Sequence, residues 1–181
     1  MSLAWIGLGS NLGDRLANLL QGLECLDDID GIGVRRVSTF IETQPVGVTG
    51  HSPYLNAVAE LETEMDPDSL VRTCLDVERL MGRIRSEDLA DPQPRLLDLD
   101  VLIMGDSVVD RTGVQVPHPR MHDRAFVLLP MVELEPQLLH PVLGRTMEEL
   151  LESEIDRFGP VEDRCAILIP GSLMPEEDEV I

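Results

Sequence analysis

The chain has 181 residues and a formal net charge of −20, because 34 acidic residues face only 14 basic ones, and 43% of it is hydrophobic. This length and apolar content predict one domain with a buried core, and the charge argues against nucleic acid or an acidic lipid surface as a partner. All 14 basic residues are arginine, which excludes a Walker A loop, a Schiff base and a lysine general base.

The cysteines and the apolar runs predict the compartment. Cys25, Cys74 and Cys165 form no CxxC pair, so we expect free thiols rather than a disulfide framework or a structural zinc site. No apolar run reaches about 18 residues, so we expect no membrane span. The N-terminus lacks the basic segment of a signal peptide. Together these features favour a cytoplasmic location.

The first half of the chain alternates between strand and helix patterns. A strand is read from period-two alternation of apolar residues, and a helix from apolar residues three or four apart. An Asp followed by Pro is a typical helix start, since Asp caps the helix and Pro fits its first turn. The predicted elements are a strand over 3–8, a helix carrying Leu16 to Leu23, strands over 33–42 and 54–65, and a helix from Asp66 to Gly82.

The second half supplies one more strand and then smaller elements. These are a strand over 96–104, a short hairpin over 108–116, and helices over 124–134 and 146–157. The element order βαββαβ predicts an α+β fold, a ferredoxin-like sandwich with an additional C-terminal hairpin and helices. We expect residues 1–158 to form the functional domain and residues 159–181 to form an acidic C-terminal extension.

Asp98 and Asp100 are the first candidate site residues. In a strand, residues two apart share a face, so these carboxylates lie side by side while Leu97, Leu99 and Val101 face the core. Two adjacent carboxylates repel each other unless a cation sits between them. Oxygen ligands suit Mg²⁺, which also binds phosphate oxygens. The alternative is a solvated strand face in an acidic protein.

Arginines near this strand form the second candidate. Arg83, Arg85 and Arg95 bracket a polar loop, and a positive segment with Arg111, Arg120 and Arg124 also contains His118. Guanidinium groups pair well with phosphate oxygens and keep their charge. A loop of arginines that closes over phosphates would stabilise transition-state charge. The alternative is surface ion pairing with the acidic residues of the same loop, Glu87, Asp88 and Asp91.

Two aromatic residues and an amide form the third candidate. Tyr54 and Asn56 flank a loop, and Phe126 follows Arg124. Two rings with an amide edge between them could hold a planar heterocycle. The alternative is that both rings belong to the core.

Several segments match one known family in order and in approximate spacing between residue 3 and about residue 157. They are Gly9–Arg15, Thr43–Gly47, Tyr54–Ala57, Glu78, Gly82–Arg85, Pro94–Asp100, Val116–Arg120 and Arg124–Phe126. On these segments the chain resembles the 6-hydroxymethyl-7,8-dihydropterin pyrophosphokinases of folate biosynthesis.

The resemblance implies an ATP-dependent transfer of pyrophosphate to the pterin hydroxymethyl group, with release of AMP. It implies two Mg²⁺ ions on Asp98 and Asp100, and ATP and 6-hydroxymethyl-7,8-dihydropterin as small-molecule partners. The other roles it implies are catalytic for Arg83 and Arg95, ATP-binding for Glu78, Arg85, His118 and Arg124, and pterin-binding for Thr43, Gln44, Val46, Tyr54, Asn56 and Phe126.

The chain departs from the family pattern at three places. The loop from Arg85 to Arg95 is longer and acidic, and it lacks the Trp often found there. Leu75 stands where members often carry Gln. We recognise no counterpart in the family pattern for the extension beyond residue 158. The altered loop motivates one alternative, a degenerate member that binds pterin or nucleotide without turnover. A second alternative is a regulatory small-molecule-binding module on the same fold.

Overall fold

The computed structural model describes residues 1–44, 52–83 and 94–169. In these ranges the chain is a mixed α and β structure built on an antiparallel sheet. The strands are β1 (Ser2–Ser10), β2 (Ile32–Val37), β3 (Phe40–Thr43), β4 (Tyr54–Thr63), β5 (Asp98–Met104), β6 (Val109–Arg111), β7 (Val114–Val116) and β8 (Cys165–Ile169). The helices are α1 (Arg15–Asp27), α2 (Pro67–Leu80), α3 (Ala125–Leu134) and α4 (Met147–Phe158).

The main sheet has the strand order β5-β1-β4-β3-β8, and β2 also pairs with β4. Since β3 pairs with the start of β4 and β2 with its end, β2 and β3 lie end to end along one edge of that strand. In the centre of the sheet, Gly9 pairs with both Asn56 and Asp98, and Gly7 pairs with Asp100. This register decides which side chains meet at the site.

Each face of the sheet has its own hydrophobic core. On one face, Ile6 and Leu8 pack with residues of α1 and α2 such as Leu23 and Cys74. On the other face, Trp5 and Leu102 pack with α3 and α4. Burial of apolar side chains on both faces explains why β1 and β5 are nearly continuous apolar runs.

The helices begin where the sequence predicts. The Asp66 side chain accepts a hydrogen bond from Ser69 N, and Pro67 occupies the first turn of α2. Gly82 follows this helix at a φ of +90°, the conformation that glycine adopts most readily after a helix. At α4, Thr146 and Glu149 form a reciprocal capping box, which satisfies two N–H groups of the first turn. In the described ranges no helix is long and apolar enough to cross a membrane.

Two parts of the sheet differ from the prediction. The single strand expected over 33–42 is divided, because Ser38 leaves the ladder: its N–H donates to Val58 O and its hydroxyl accepts from Val58 N, both at 2.9 Å. The sequence predicts no element after Gly159, yet residues 165–169 form strand β8 beside β3. Residues 170–181, which hold the acidic end of the extension, lie outside the described residues.

Candidate active site

The floor of the site is formed where β5, β1 and β4 lie side by side. Leu99 is buried against α1 and α2, so Asp98 and Asp100 project from the opposite face of β5. Gly9 lies between Asp98 and Asn56, and a Cβ there would stand 3.4 Å from the Asn56 Oδ1 atom and 3.8 Å from the Asp98 Cβ atom. Glycine therefore keeps the space between the carboxylates and the amide open.

A cavity of about 700 Å³ lies over this floor. It contains most of the predicted site residues together with residues from α4 and the C-terminal extension. The predicted residues that line it are Thr43, Gln44, Tyr54, Asn56, Arg95, Asp98, Asp100, Arg124 and Phe126. The two aromatic rings and the carboxylates thus face one space.

Asp98 is held by two arginines. Arg83 Nη1 donates to its Oδ1 atom and Arg95 Nη1 donates to its Oδ2 atom. Burial opposes the charge of Arg95, but attraction to Asp98 and the hydrogen bond outweigh it and raise the pKa of Arg95. The Arg95 backbone is also fixed, because its N–H donates to Asn11 Oδ1 at 2.7 Å and its carbonyl accepts from Asn11 N at 3.0 Å.

Asp100 lies in a less favourable environment. Burial, followed by the negative charge of Asp98, raises the pKa of Asp100 to about 6, against the lowering effect of Arg124. Its side chain is nevertheless 44% exposed, because it faces the cavity. Within the described ranges, the attraction of Arg124 and Arg95 thus offsets burial and the charge of Asp98 only in part, as expected of a carboxylate poised to bind a metal ion.

The carboxylate pair fits a magnesium ion that takes few protein ligands. In the described ranges, no three or more His, Cys, Asp or Glu residues cluster as a metal site, so a cage made entirely of protein is absent there. Mg²⁺ typically uses one or two carboxylates and completes its shell with water and substrate phosphates. Asp98 and Asp100, which line the cavity, could supply two such carboxylates.

Glu78 stands behind the site. Its side chain is 2% exposed, its Oε1 atom accepts from Leu99 N at 2.8 Å, and it pairs with Arg83 at 2.5 Å. Glu78 thus ties α2 to the backbone of β5 and orients Arg83. It is not among the residues that line the cavity, and its predicted contact with nucleotide stays a prediction.

The far end of the cavity combines an amide with aromatic rings. Asn56 Nδ2 donates to Thr43 Oγ1 at 2.9 Å, which fixes the orientation of the amide and leaves its Oδ1 atom toward Gly9. The Arg124 guanidinium carbon lies 5.6 Å from the centre of the Phe126 ring, within the range of a cation–π contact. Burial and the charge of Arg120 lower the pKa of Arg124.

A second cavity, of about 400 Å³, lies on the other side of Asp100. Apolar residues of α2 and β5, including Leu75 and Val101, line it together with His118 and Gln115. Asp100 and Arg120 line both cavities. The two spaces therefore meet at one carboxylate and one guanidinium.

His118 is a neutral donor at this junction. Burial and the charges of Arg124 and Arg120 lower the pKa of His118 to about 4. Its Nδ1 atom accepts from Arg120 N at 3.2 Å, so in the neutral ring the hydrogen is on Nε2. The Nε2 atom lies 3.8 Å from Asp100 Oδ2, which is too far for a direct hydrogen bond. A ligand or water oxygen near both atoms could accept a hydrogen bond from Nε2.

Two predicted residues, Val46 and Arg85, lie outside the described residues, as do the acidic residues of the loop before Arg95. The sequence predicts Arg120 only as a member of the positive segment, without a role of its own, and it does not mark Asn11 as a site residue. The sequence analysis also missed Glu154, Asp163, Arg164 and Cys165, which line the larger cavity. No sequence pattern marks these four, because only the packing of α4 and β8 brings them to the site.

Comparison with known proteins now decides the family. Residues 5–136 match the family model of 7,8-dihydro-6-hydroxymethylpterin-pyrophosphokinase (HPPK). The chain belongs to this family. It is 37% identical over 159 residues to the 2-amino-4-hydroxy-6-hydroxymethyldihydropteridine pyrophosphokinase of Methylorubrum extorquens, with 88% of this chain and 97% of that protein covered. The Synechocystis protein of the same name is 34% identical over 174 residues, covering 96% and 87%.

Longer proteins also match this chain. It is 35% identical over 150 residues to folic acid synthesis protein fol1 of Schizosaccharomyces pombe, covering 83% of this chain but only 20% of that protein. A crystal structure of Plasmodium falciparum HPPK-DHPS superposes with a TM-score of 0.71 at 14% identity, covering 92% of this chain and 46% of the other. The chain thus spans about a fifth of the fol1 protein and about half of the HPPK-DHPS chain. The structural similarity to HPPK-DHPS supports the fold.

Proposed function

We propose that this protein transfers pyrophosphate from Mg-ATP to the hydroxymethyl group of 6-hydroxymethyl-7,8-dihydropterin and releases AMP. One observation carries the proposal: two cavities of different character meet at Asp100 and Arg120, beside the carboxylate of Asp98. A reaction that joins a planar heterocycle to a nucleotide phosphate needs two such spaces with cationic and metal-binding groups between them.

The larger cavity suits the pterin. Tyr54 and Phe126 supply aromatic faces for stacking, and Asn56 with Thr43 supplies an oriented amide for the polar edge of the heterocycle. Gln44, which also lines this cavity, and Val46 would complete the edge contacts. The smaller cavity suits the nucleotide, since Leu75 and Val101 offer apolar contact and His118 an N–H donor. Glu78 would support this pocket from behind.

Asp98 and Asp100 would hold the magnesium, for which we expect two ions. The metal would neutralise phosphate charge and lower the pKa of the attacking hydroxyl. In the transfer, the hydroxymethyl oxygen forms a bond to the β-phosphorus and the bond from that phosphorus to the α-phosphate oxygen breaks. The residues of this chain position the groups and stabilise charge.

The arginines would change partners when the substrates bind. Arg83 and Arg95 now neutralise Asp98, and their guanidinium groups could move to phosphate oxygens once Asp98 binds a cation. Arg124 faces the same cavity and would contact phosphate as well, together with Arg85. Every group then keeps an opposite charge beside it, so the exchange costs little electrostatic energy.

The proposal also covers the fold class, the domain bounds, the location and the partners of the protein. The strand order β5-β1-β4 followed by β2 and β3 supports assignment of the core to the ferredoxin-like class. We keep residues 1–158 as the pyrophosphokinase domain, with β8 packed against it from the extension. A cytoplasmic location, and small molecules rather than nucleic acid or lipid as partners, remain predictions from composition.

The direct test mixes purified protein with Mg-ATP and 6-hydroxymethyl-7,8-dihydropterin and follows the phosphorus NMR signals, at low salt and in about 1 M salt. We expect AMP and a pterin diphosphate, formed only when both substrates and Mg²⁺ are present. ATP binding without AMP at either salt level would instead favour the degenerate member. Release of ADP would mean transfer of a single phosphoryl group and would contradict the proposal.

A further inference from the structure

Helix α4 and the C-terminal extension together form part of the larger cavity. Glu154, Asp163, Arg164 and Cys165 line it, and all four lie beyond residue 136, where the match to the family model ends. None of them is among the residues that line the smaller cavity. They therefore belong to the cavity that we assign to the pterin and not to the one that we assign to the nucleotide.

An ion pair anchors this extension. Arg164 Nη1 and Nη2 donate to the two carboxylate oxygens of Glu154 at 2.5 and 2.9 Å. Arg164 Nη2 also donates to Gly159 O at 2.7 Å, so the same guanidinium closes the turn after α4. The Glu154 side chain is 1% exposed, whereas that of Arg164 is 31% exposed. A buried carboxylate needs such a partner, and the two-pronged geometry fixes direction as well as distance.

The anchored segment leads directly into the pterin end of the site. Cys165 follows Arg164 and pairs with Thr43 in the β3–β8 ladder. Thr43 in turn accepts the hydrogen bond from Asn56 Nδ2. β3 has only four residues, and without β8 its outer side would be an unpaired edge next to the segment that carries Gln44.

We infer that Glu154 and Arg164 act as positioning residues for the pterin, because their ion pair sets β8 against β3 and thereby orients Thr43 and the amide of Asn56. Neither residue is assigned to the reacting groups. The inference rests on the proposed function, since it specifies how the pterin end of that site is shaped. It predicts that the ion pair controls pterin affinity and leaves ATP affinity largely unaffected.

The test compares Arg164→Ala and Glu154→Gln with the control Arg145→Ala. Arg145 also bonds to α4, at Glu149 O and Ser153 Oγ, but lines neither cavity. We expect the KM for pterin to rise about fivefold or more in the two test variants, with the KM for ATP within about twofold. Hydrogen exchange over residues 40–43 should be faster in these variants and unchanged in the control.

An unchanged pterin KM in folded variants would overturn the inference, and so would equal increases in both KM values, which indicate a general structural role. If Arg164→Ala does not fold, Arg164→Lys replaces it, since an ammonium keeps the charge but loses the fork. If the wild type makes no AMP, the proposed function fails, and pterin binding by calorimetry then replaces KM as the readout. Absence of both turnover and pterin binding in the wild type would overturn both.

Discussion

Asp98 lines the larger cavity and forms ion pairs with two arginines. Its two oxygens accept from Arg83 and Arg95, while Asp100 on the same face keeps a raised pKa. Two arginines thus neutralise Asp98, whereas Arg124 and Arg95 offset the burial of Asp100 only in part. This asymmetry is consistent with the proposal that the pair binds a divalent cation.

Replacing Arg95 tests its assigned role in charge stabilisation. We expect Arg95→Ala to lower kcat about 100-fold or more, because a guanidinium aimed at developing charge is lost from a partly enclosed site. Pterin affinity should change little, since Arg95 is not assigned to the heterocycle. Steady-state measurement of AMP formation gives both values.

A matched control comes from α2. Arg79 also pairs with an aspartate three residues away, Asp76, but both side chains are more than 60% exposed. Arg79→Ala should leave kcat within about twofold of the wild type, since exposed pairs contribute little. Equal losses of kcat in the two variants, or a loss confined to pterin binding in Arg95→Ala, would refute the assignment.

The raised pKa of Asp100 predicts a pH-dependent stability. Well below pH 3.8, the ordinary pKa of aspartate, the carboxyl is protonated in both the folded and the unfolded chain and does not affect the free energy of unfolding. As the pH rises toward 6, the unfolded chain ionises Asp100 more readily than the folded protein does, so its contribution to stability becomes unfavourable. Asp100→Asn should therefore be more stable than the wild type at pH 7.5, by about 1 kcal/mol after allowance for exposure.

Urea unfolding of both proteins between about pH 3 and about pH 7.5 measures this difference. We expect it to shrink to near zero at the acid end, and to shrink at pH 7.5 when Mg²⁺ is added. A variant that is less stable than the wild type at pH 7.5, or a difference that does not vary with pH, would show that ionised Asp100 carries no penalty.

At the scale of elements, Glu78 connects α2 with β5. Glu78→Ala removes the acceptor of Leu99 N and a partner of Arg83, whose side chain is only 13% exposed. We expect a loss of about 3 kcal/mol in the free energy of unfolding, because a buried N–H loses its acceptor and, among the described residues, the largely buried Arg83 keeps only Asp98 as an ion-pair partner. Glu62, whose side chain is 40% exposed and pairs with Arg35 at 3.6 Å, provides the control Glu62→Ala. Equal losses in the two variants would contradict the structural role of Glu78.

Elements that depend on local signals are predictable from the sequence. The Asp66 cap, the alternation along β4 and the apolar run of β5 each depend on neighbouring residues, and the structure places these elements within a few residues of the prediction. The break at Ser38 and the strand β8 depend on partners far along the chain, Val58 and residues 40–43. Local patterns carry no information about such partners, so the sequence did not predict them.

The candidate site also has features that local patterns predict and features that depend on distant parts of the chain. Residue types predicted a carboxylate pair, phosphate-binding arginines and stacking rings, and the structure brings Asp98, Arg95, Tyr54 and Phe126 to one cavity. That Asp100 and Arg120 also line a second cavity follows from the pairing of β5 with β1 and the path of the chain after β7. This convergence is a property of the whole molecule, and only the structure provides it.

The central claim is that transfer occurs at Asp98 and Asp100, between two separate substrate cavities. Asp98→Ala tests it most directly, with AMP formation and the dissociation constants of ATP and pterin measured on the same preparation. We expect AMP formation to fall by about 1,000-fold or more while the pterin constant stays within about threefold, because the groups lost act on the reacting phosphates and not on the heterocycle. Near-normal AMP formation, or a loss fully explained by weaker pterin binding, would contradict the claim.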